Sequence, residues 1–297
     1  MKKTLLVLAL ITFSLYNGIA QAGQDDDISS LLDSLSAPTD DYAYAFFKTT
    51  RIVTGHSIEQ MKAGQLEFRI SHRFGKLNSG AGQLWGLDQS TILFSLEYGI
   101  TDWLETGIMR TPNEKILNGF AKVKLLRQVF GGFPVSISYF GSAGVSTIDW
   151  ANPDRENYFS SRLHFAHQIL IAKKFSEDFS LQLTPTLVHR NLVPNALDEN
   201  DLFAVGIGGR YKLTNRISVN AEYFHAFQPT YAGAPDLFDP MSIGFDIETG
   251  GHVFQIMLSN SVGMIEKHYI AENTGDASKG DMHLGFNISR TFTLIGE

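Results

Sequence analysis

The chain has 297 residues, a formal net charge of −7 and no cysteine. The lack of thiols excludes disulfides and a lipid-anchored lipoprotein, and the mildly acidic balance argues against a nucleic-acid partner. No stretch beyond the first residues approaches the roughly 18 apolar residues of a spanning helix, which excludes a helical membrane protein.

The chain opens on an export signal, residues 1–22. Lys2 and Lys3 precede an apolar run from Leu5 to Leu15, and Ala20-Gln21-Ala22 is a small-x-small cleavage site. Gly23 then begins the mature chain, which is two charges more negative without Lys2 and Lys3. Export of a cysteine-free chain suits a Gram-negative envelope.

Residues 23–63 read as an N-terminal periplasmic segment or partial plug, with a flexible leader as the plain alternative. Asp25-Asp26-Asp27 opens a polar stretch. Ile28 to Leu35 fits a short amphipathic helix, and Phe46 to Thr54 a short strand.

From Gly64 onward the pattern changes to alternation with period two. In Leu66-Glu67-Phe68-Arg69-Ile70-Ser71-His72-Arg73-Phe74, the residues Leu66, Phe68, Ile70 and Phe74 share one face. Strands are expected near 64–74, 90–100, 104–110, 115–127, 134–146, 158–175, 179–190, 201–213, 217–228, 241–249, 252–260 and 281–292. This is an all-β, antiparallel transmembrane barrel of about twelve strands over residues 64–297. Strands at Phe46–Thr54 and within 261–272 would instead make fourteen.

The connections support that register. Thr101-Asp102-Trp103, Ser176-Glu177-Asp178 and Thr214-Asn215-Arg216 each form a three-residue polar loop between apolar residues. None has the glycine usual at the third position. Gly250-Gly251 predicts a two-residue turn that pairs Glu248 with Val253 and Asp246 with Gln255; a slip of one would turn both acids into lipid. Long connections, near 75–89, 147–157, 191–200, 229–240 and 261–280, alternate with the tight ones. That asymmetry places long loops outside the cell and short turns in the periplasm. Trp85, Trp103 and Trp150, with Tyr98, Tyr211 and Tyr223, fall where aromatic girdles are expected.

Alternation also fits a soluble sandwich, but loop asymmetry and the small or charged opposite face favour lipid on the apolar side. The lumen then holds Glu67, Arg69, Arg73, Glu97, Lys122, Lys124, Arg162, His164, Arg210, Glu222, Asp246 and Glu248. These charges form either a structural salt-bridge network or a charged constriction for small solutes. Arg210, opposite Asn220, is expected near Glu222.

Chemistry is sparse. His164 and His167 face opposite sides of one strand and cannot close on one ion, so no metal or other cofactor is expected. His167 faces lipid near the middle of its strand and needs a bulge or a partner at a subunit contact. A membrane lipase would need Ser259 or Ser261 near His252, and His252 lies at the far end of its strand. Gly206-Ile207-Gly208-Gly209 lies inside a strand and is no nucleotide loop.

Several runs resemble the domain-of-unknown-function 5777 family of outer-membrane β-barrel proteins. They include Thr50-Arg51-Ile52-Val53 with Gly55-His56-Ser57, Ile70-Ser71-His72-Arg73-Phe74-Gly75 and Gly86-Leu87-Asp88-Gln89. His189-Arg190-Asn191-Leu192-Val193, Gly208-Gly209-Arg210-Tyr211-Lys212, the stretch from Asp246 to Gln255 and Gly285-Phe286-Asn287-Ile288-Ser289-Arg290 extend it over about 46–293. The resemblance implies an outer-membrane barrel and supplies no substrate or activity.

The last strand alternates Phe286, Ile288 and Phe292, a cue for barrel-insertion machinery, with Leu294 to Glu297 trailing beyond. The expected role is a passive or gated pore for small solutes in the outer membrane, in contact with its lipid bilayer. The alternatives are a closed barrel that binds envelope partners, a periplasmic one unspecified, and, at greater remove, a lipase.

Overall fold

A computed structural model describes residues 42–295 apart from 151, 229, 230 and 233. The expected export signal and residues 23–41 lie outside the described residues. Twelve antiparallel strands close into one barrel, each paired with its sequence neighbours and the last with the first. They are β1 Gln65–Lys76, β2 Ser90–Thr101, β3 Leu104–Thr111, β4 Ile116–Leu126, β5 Ser136–Ser146 and β6 Leu163–Lys174. The second half comprises β7 Phe179–Arg190, β8 Asp201–Lys212, β9 Ile217–Ala226, β10 Met241–Thr249, β11 His252–Ser259 and β12 His283–Thr293.

The period-two pattern explains the wall. Along β8, residues 202, 204, 206 and 208 are buried while Phe203, Val205 and Ile207 are 43–60% exposed on the outer face. Apolar side chains on that outer face suit lipid, and closure pairs every strand with two neighbours so that no sheet edge is left open. The fourteen-strand alternative does not occur: Phe46–Thr54 is a series of bends, and 261–272 carries only a single π-helical turn. Both segments are apolar for another reason, given below.

Register follows the hairpins. Gly250-Gly251 joins Thr249 and His252 and pairs Asp246 with Gln255 and Glu248 with Val253. At the three glycine-free turns a hydroxyl substitutes for left-handed backbone. Ser176 Oγ accepts from the amides of Asp178 and Phe179, at 3.2 and 3.1 Å. Thr214 Oγ1 accepts from Arg216 and Ile217, at 3.2 and 3.0 Å. Thr101 Oγ1 does the same for Trp103 and Leu104, at 3.3 and 3.1 Å. Such side-chain capping of a turn is a known alternative to positive φ. The first turn differs in one respect: Thr101 pairs directly with Leu104, and Ile100 is left as a bulge.

The tight turns and both ends of the barrel chain lie at one rim, the turn end. The connections 77–89, 147–162, 191–200, 227–240 and 260–282 leave the opposite rim, the loop end. The exception at the turn end is 127–135, between β4 and β5. His167 does face outward, but its relief is neither a bulge nor a subunit contact: Tyr139 on the neighbouring strand meets its Nδ1 at 2.6 Å.

At the loop end the seam between first and last strands is held by ions. Lys76 Nζ lies 2.6 Å from Asp281 Oδ2, and Asn78 donates to Oδ1 at 2.7 Å. Lys76 first, then Asn78, draws the Asp281 carboxyl down to about 2. A depressed carboxylate stabilises the fold above its ordinary value near 4 and loses that contribution as pH falls through about 2. Asp281→Asn should therefore speed amide exchange of Leu77, which donates to Met282 beside this pair. Hydrogen exchange should show the difference from wild type undiminished at pH 5, shrinking below about pH 4 and lost near pH 2.

Candidate functional site

The barrel interior is the candidate site, and two segments occupy it. From the turn end, residues 42–63 run inward, reverse and return to β1. Tyr42 bridges Val129 on entry, and Ala63 bridges Gly99 on exit. The deepest part is a tight reversal in which Arg51 pairs with His56, and Ile52 donates to the Gly55 carbonyl at 2.9 Å. Gly64 completes the return with φ of +74°, a left-handed geometry that disfavours other residues.

The inserted chain has no sheet partner at its tip, so its peptide groups must bond elsewhere. Wall side chains supply those bonds. Glu222 accepts from the amides of Thr54 at 2.7 Å, Gly55 at 3.1 Å and Val53 at 3.3 Å. Gln255 donates to the Ile52 carbonyl, Asn287 to Val53 and Gln182 to His56, at 3.1, 3.0 and 2.8 Å. Lys122 donates to the Glu59 carbonyl at 2.7 Å, and Arg210 to Ala45 at 2.9 Å.

Charge pairing follows the same plan. Arg51 of the inserted segment lies 2.9 Å from Glu97 Oε1, and Thr50 donates to Glu97 Oε2 at 2.6 Å. Arg69 donates to Thr50 Oγ1 at 2.7 Å and pairs with Glu67 two residues away. Glu105 faces Lys122 at 3.7 Å and accepts from the Met61 amide at 2.7 Å. The His56 ring packs on Phe140, with centroids 3.9 Å apart, and edge-on to Phe120 at 5.0 Å.

From the loop end, residues 260–276 fold inward. Ile265, Tyr269, Ile270 and Ala271 are at most 1% exposed. Gly275 lets the returning chain pass: a Cβ there would stand 1.7 Å from the Asn260 carbonyl oxygen. The two insertions touch. His56 Nε2 is 3.9 Å from Glu266 Oε1, and Phe224 of the β9 wall lies edge-on to Tyr269 beside them, with centroids 5.4 Å apart.

The structure brings most of the residues named from sequence to this interior. Glu67, Arg69, Arg73, Glu97, Lys122, His164, Arg210, Glu222 and Asp246 are buried. Lys124 sits at the turn end and donates to the Asp102 carbonyl at 3.1 Å. Glu248, also near that rim, is half exposed and pairs with Lys48. Arg162 differs, because β6 begins only at Leu163. Arg162 ties the 146–150 loop, stacked on Trp150 at 3.8 Å. Arg210 and Glu222 do not pair with each other; each holds a different part of the inserted segment.

Sequence reasoning missed Thr50, Arg51, His56 and Glu105 as interior partners. Glu105 was legible, since it alternates with outward residues on β3. The serines offered for lipase chemistry are engaged otherwise. Ser259 Oγ accepts from Ser242 at 2.9 Å, Ser261 Oγ accepts from the Gly263 amide at 3.1 Å, and His252 begins β11 at the turn end. These three form no nucleophile–base pair.

A family model described as a membrane-bound beta barrel domain matches residues 47–292. The chain belongs to that family, DUF5777. The match begins within the inserted segment, so in this DUF5777 chain the family region includes the deep reversal as well as the wall. No curated protein matches the sequence. Among solved structures, the KdgM porin is 6% identical with a TM-score of 0.47, covering 77% of this chain and 99% of its own. The NanC porin is 6% identical at 0.45, with 77% and 100% covered. An outer membrane channel from Pseudomonas putida F1 is 12% identical at 0.49, with 86% and 99% covered.

The Glu222 cradle gives a direct test of how the DUF5777 chain holds its own segment. Glu222→Gln keeps the shape and removes the charge. It should weaken the cradle by roughly 1.5–3 kcal/mol, the usual worth of a hydrogen bond to a charged group. Hydrogen exchange at Thr54 and Gly55 should accelerate accordingly, while amides in β8 and β9 keep their protection.

Proposed function

We propose that this protein is an outer-membrane channel for small solutes, closed at rest by residues 42–63 and 260–276. Membership of a membrane-bound barrel family and the two unlike rims support that placement, with the turn end periplasmic. The observation that carries the channel reading is the chemistry of the wall. Glu97, Arg73, Gln182, Glu222, Gln255 and Asn287 all bond to an inserted segment, through its main chain or small polar side chains. Water can replace each of those partners. A wall meant only to be packed would more economically be apolar, since buried charges gain little net stability.

Withdrawal of both segments would leave a hydrated passage lined by both signs of charge. Such a lining favours neither anions nor cations strongly, which suits small polar or zwitterionic solutes. The completeness of the filling favours a second reading, a permanently closed barrel that binds envelope partners. Tyr44, 63% exposed at the turn end, would then be part of a docking surface.

Planar-bilayer recording separates the two. The wild-type barrel should be closed for most of the record, with brief openings. Arg51→Ala combined with Glu222→Ala should raise the open time by tenfold or more. Limited proteolysis between 42 and 61 reports release of the segment independently. A variant in which both segments are cleavable but whose barrel stays silent would exclude the channel and leave the scaffold.

A further inference from the structure

At the loop end, a cavity of about 200 Å³ lies between the infolded 260–276 segment and the β3–β4 connection. Three side chains converge on it. Glu114 comes from the connection, and His268 and Glu272 from the infolded segment. One ligand atom of each lies within 4.8 Å of those of the other two. We propose that this is a binding site for a divalent first-row metal ion, with Zn²⁺ as the ion the donors suit.

His268 points to a ligand. It is 6% exposed, and its Nε2 is buried without a hydrogen-bond partner. That nitrogen lies 3.9 Å from Glu114 Oε1, too far for a hydrogen bond but close to the spacing of two donors on one ion. Donors about 2.0–2.2 Å from a tetrahedral zinc lie roughly 3.3–3.6 Å apart. Small rotations of Glu114 and His268 therefore complete the geometry.

The second nitrogen fits the same role. His268 Nδ1 is 3.2 Å from Asn113 Nδ2; a half-turn of that amide, which exchanges its nitrogen and oxygen, puts an acceptor there instead. With the amide oxygen facing it, Nδ1–H donates to Asn113 and leaves the Nε2 lone pair directed at the carboxylates. Metal-bound histidines are commonly oriented in this way. One imidazole and two carboxylates leave a fourth position for water from the adjoining cavity, the pattern of an open zinc site.

Lys267 is the competitor. Its Nζ contacts Glu114 and lies 3.4 Å from Glu272 Oε2, while Arg190 approaches Glu272 Oε1 at 3.6 Å. The ammonium is thus a resident cation that a divalent ion must displace. An ion-pair network accounts for Lys267, Arg190 and both carboxylates, but leaves His268 Nε2 with no hydrogen bond and only the 3.9 Å approach to Glu114. Bound metal would tie the infolded segment to the barrel rim.

The test uses the untagged mature protein, refolded, stripped with chelator and titrated with Zn²⁺ by calorimetry. The expected result is one equivalent bound by wild type, at least tenfold weaker binding in His268→Ala and Glu272→Gln, and tighter binding in Lys267→Met. Asn113→Ala should weaken binding by roughly tenfold. Heat-modifiable gel migration reports folding of each variant. No zinc bound by wild type overturns the proposal. So does unchanged affinity in folded His268→Ala. If that variant does not fold, unchanged affinity in Lys267→Met overturns it. Binding by Lys267→Met alone also overturns it, since lysine then fills the site permanently.

Discussion

A charged side chain facing the inside of a narrow barrel must be solvated by water or by protein, and the interior of this structure is organised by the second solution. Leaving such a group dry and unpaired costs several kcal/mol. Glu97 accepts from Thr50 and pairs with Arg51; Glu222 is ringed by three consecutive amides. The arrangement is reciprocal. The reversal at 51–56 leaves the inserted chain without a ladder, so its own peptide groups need the wall as much as the wall needs them. Small residues at Thr49, Thr50, Thr54, Gly55 and Ser57 keep that backbone close enough to be reached.

That reciprocity decides what the sequence could reveal. The wall was legible almost residue by residue, because a closed sheet with lipid on one side imposes strict alternation, and a slip of one residue reverses every side chain. The pairing at Gly250-Gly251 and of Arg210 with Asn220 follows directly from that constraint. Inward charge was legible for the same reason. Its partners were not. A solvated charge and one capped by an inserted segment look alike in sequence, and Asn287 reaches Val53 across 234 positions. The apolar runs at 46–54 and 261–272 resembled strands because burial selects apolar residues inside a lumen as readily as on a sheet. Arg162 lay one residue outside its strand, and there alternation carries no information.

The two rims obey different economies. At the turn end, three hairpins use a serine or threonine hydroxyl to bond two amides, which removes the need for glycine and gives short, stiff reversals. At the loop end the connections are long, and one of them turns back into the barrel instead of outward. Non-glycine residues with positive φ occur there at Leu84, Trp85, Glu114 and Lys115. Backbone held in that region costs about 1–3 kcal/mol per residue and persists only where surrounding contacts over-determine it. For Glu114 those contacts are Lys267 and His268, which belong to the infolded segment.

The insertions are therefore not independent closures. Phe224 stands between them: a Cβ at Gly55 would lie 3.1 Å from its ring, and its other side meets Tyr269. His56 and Glu266 face each other beside it. Removing residues 50–57 would strip Phe224 and Glu266 of one packing partner each and expose the apolar face formed by Ile265 and Tyr269. Loosening the 260–276 segment would in turn leave the His56 ring supported only by Phe120, Phe140 and Arg51. Each insertion is stabilised by contacts that exist only while the other is in place, which is the condition for positive coupling between two sites.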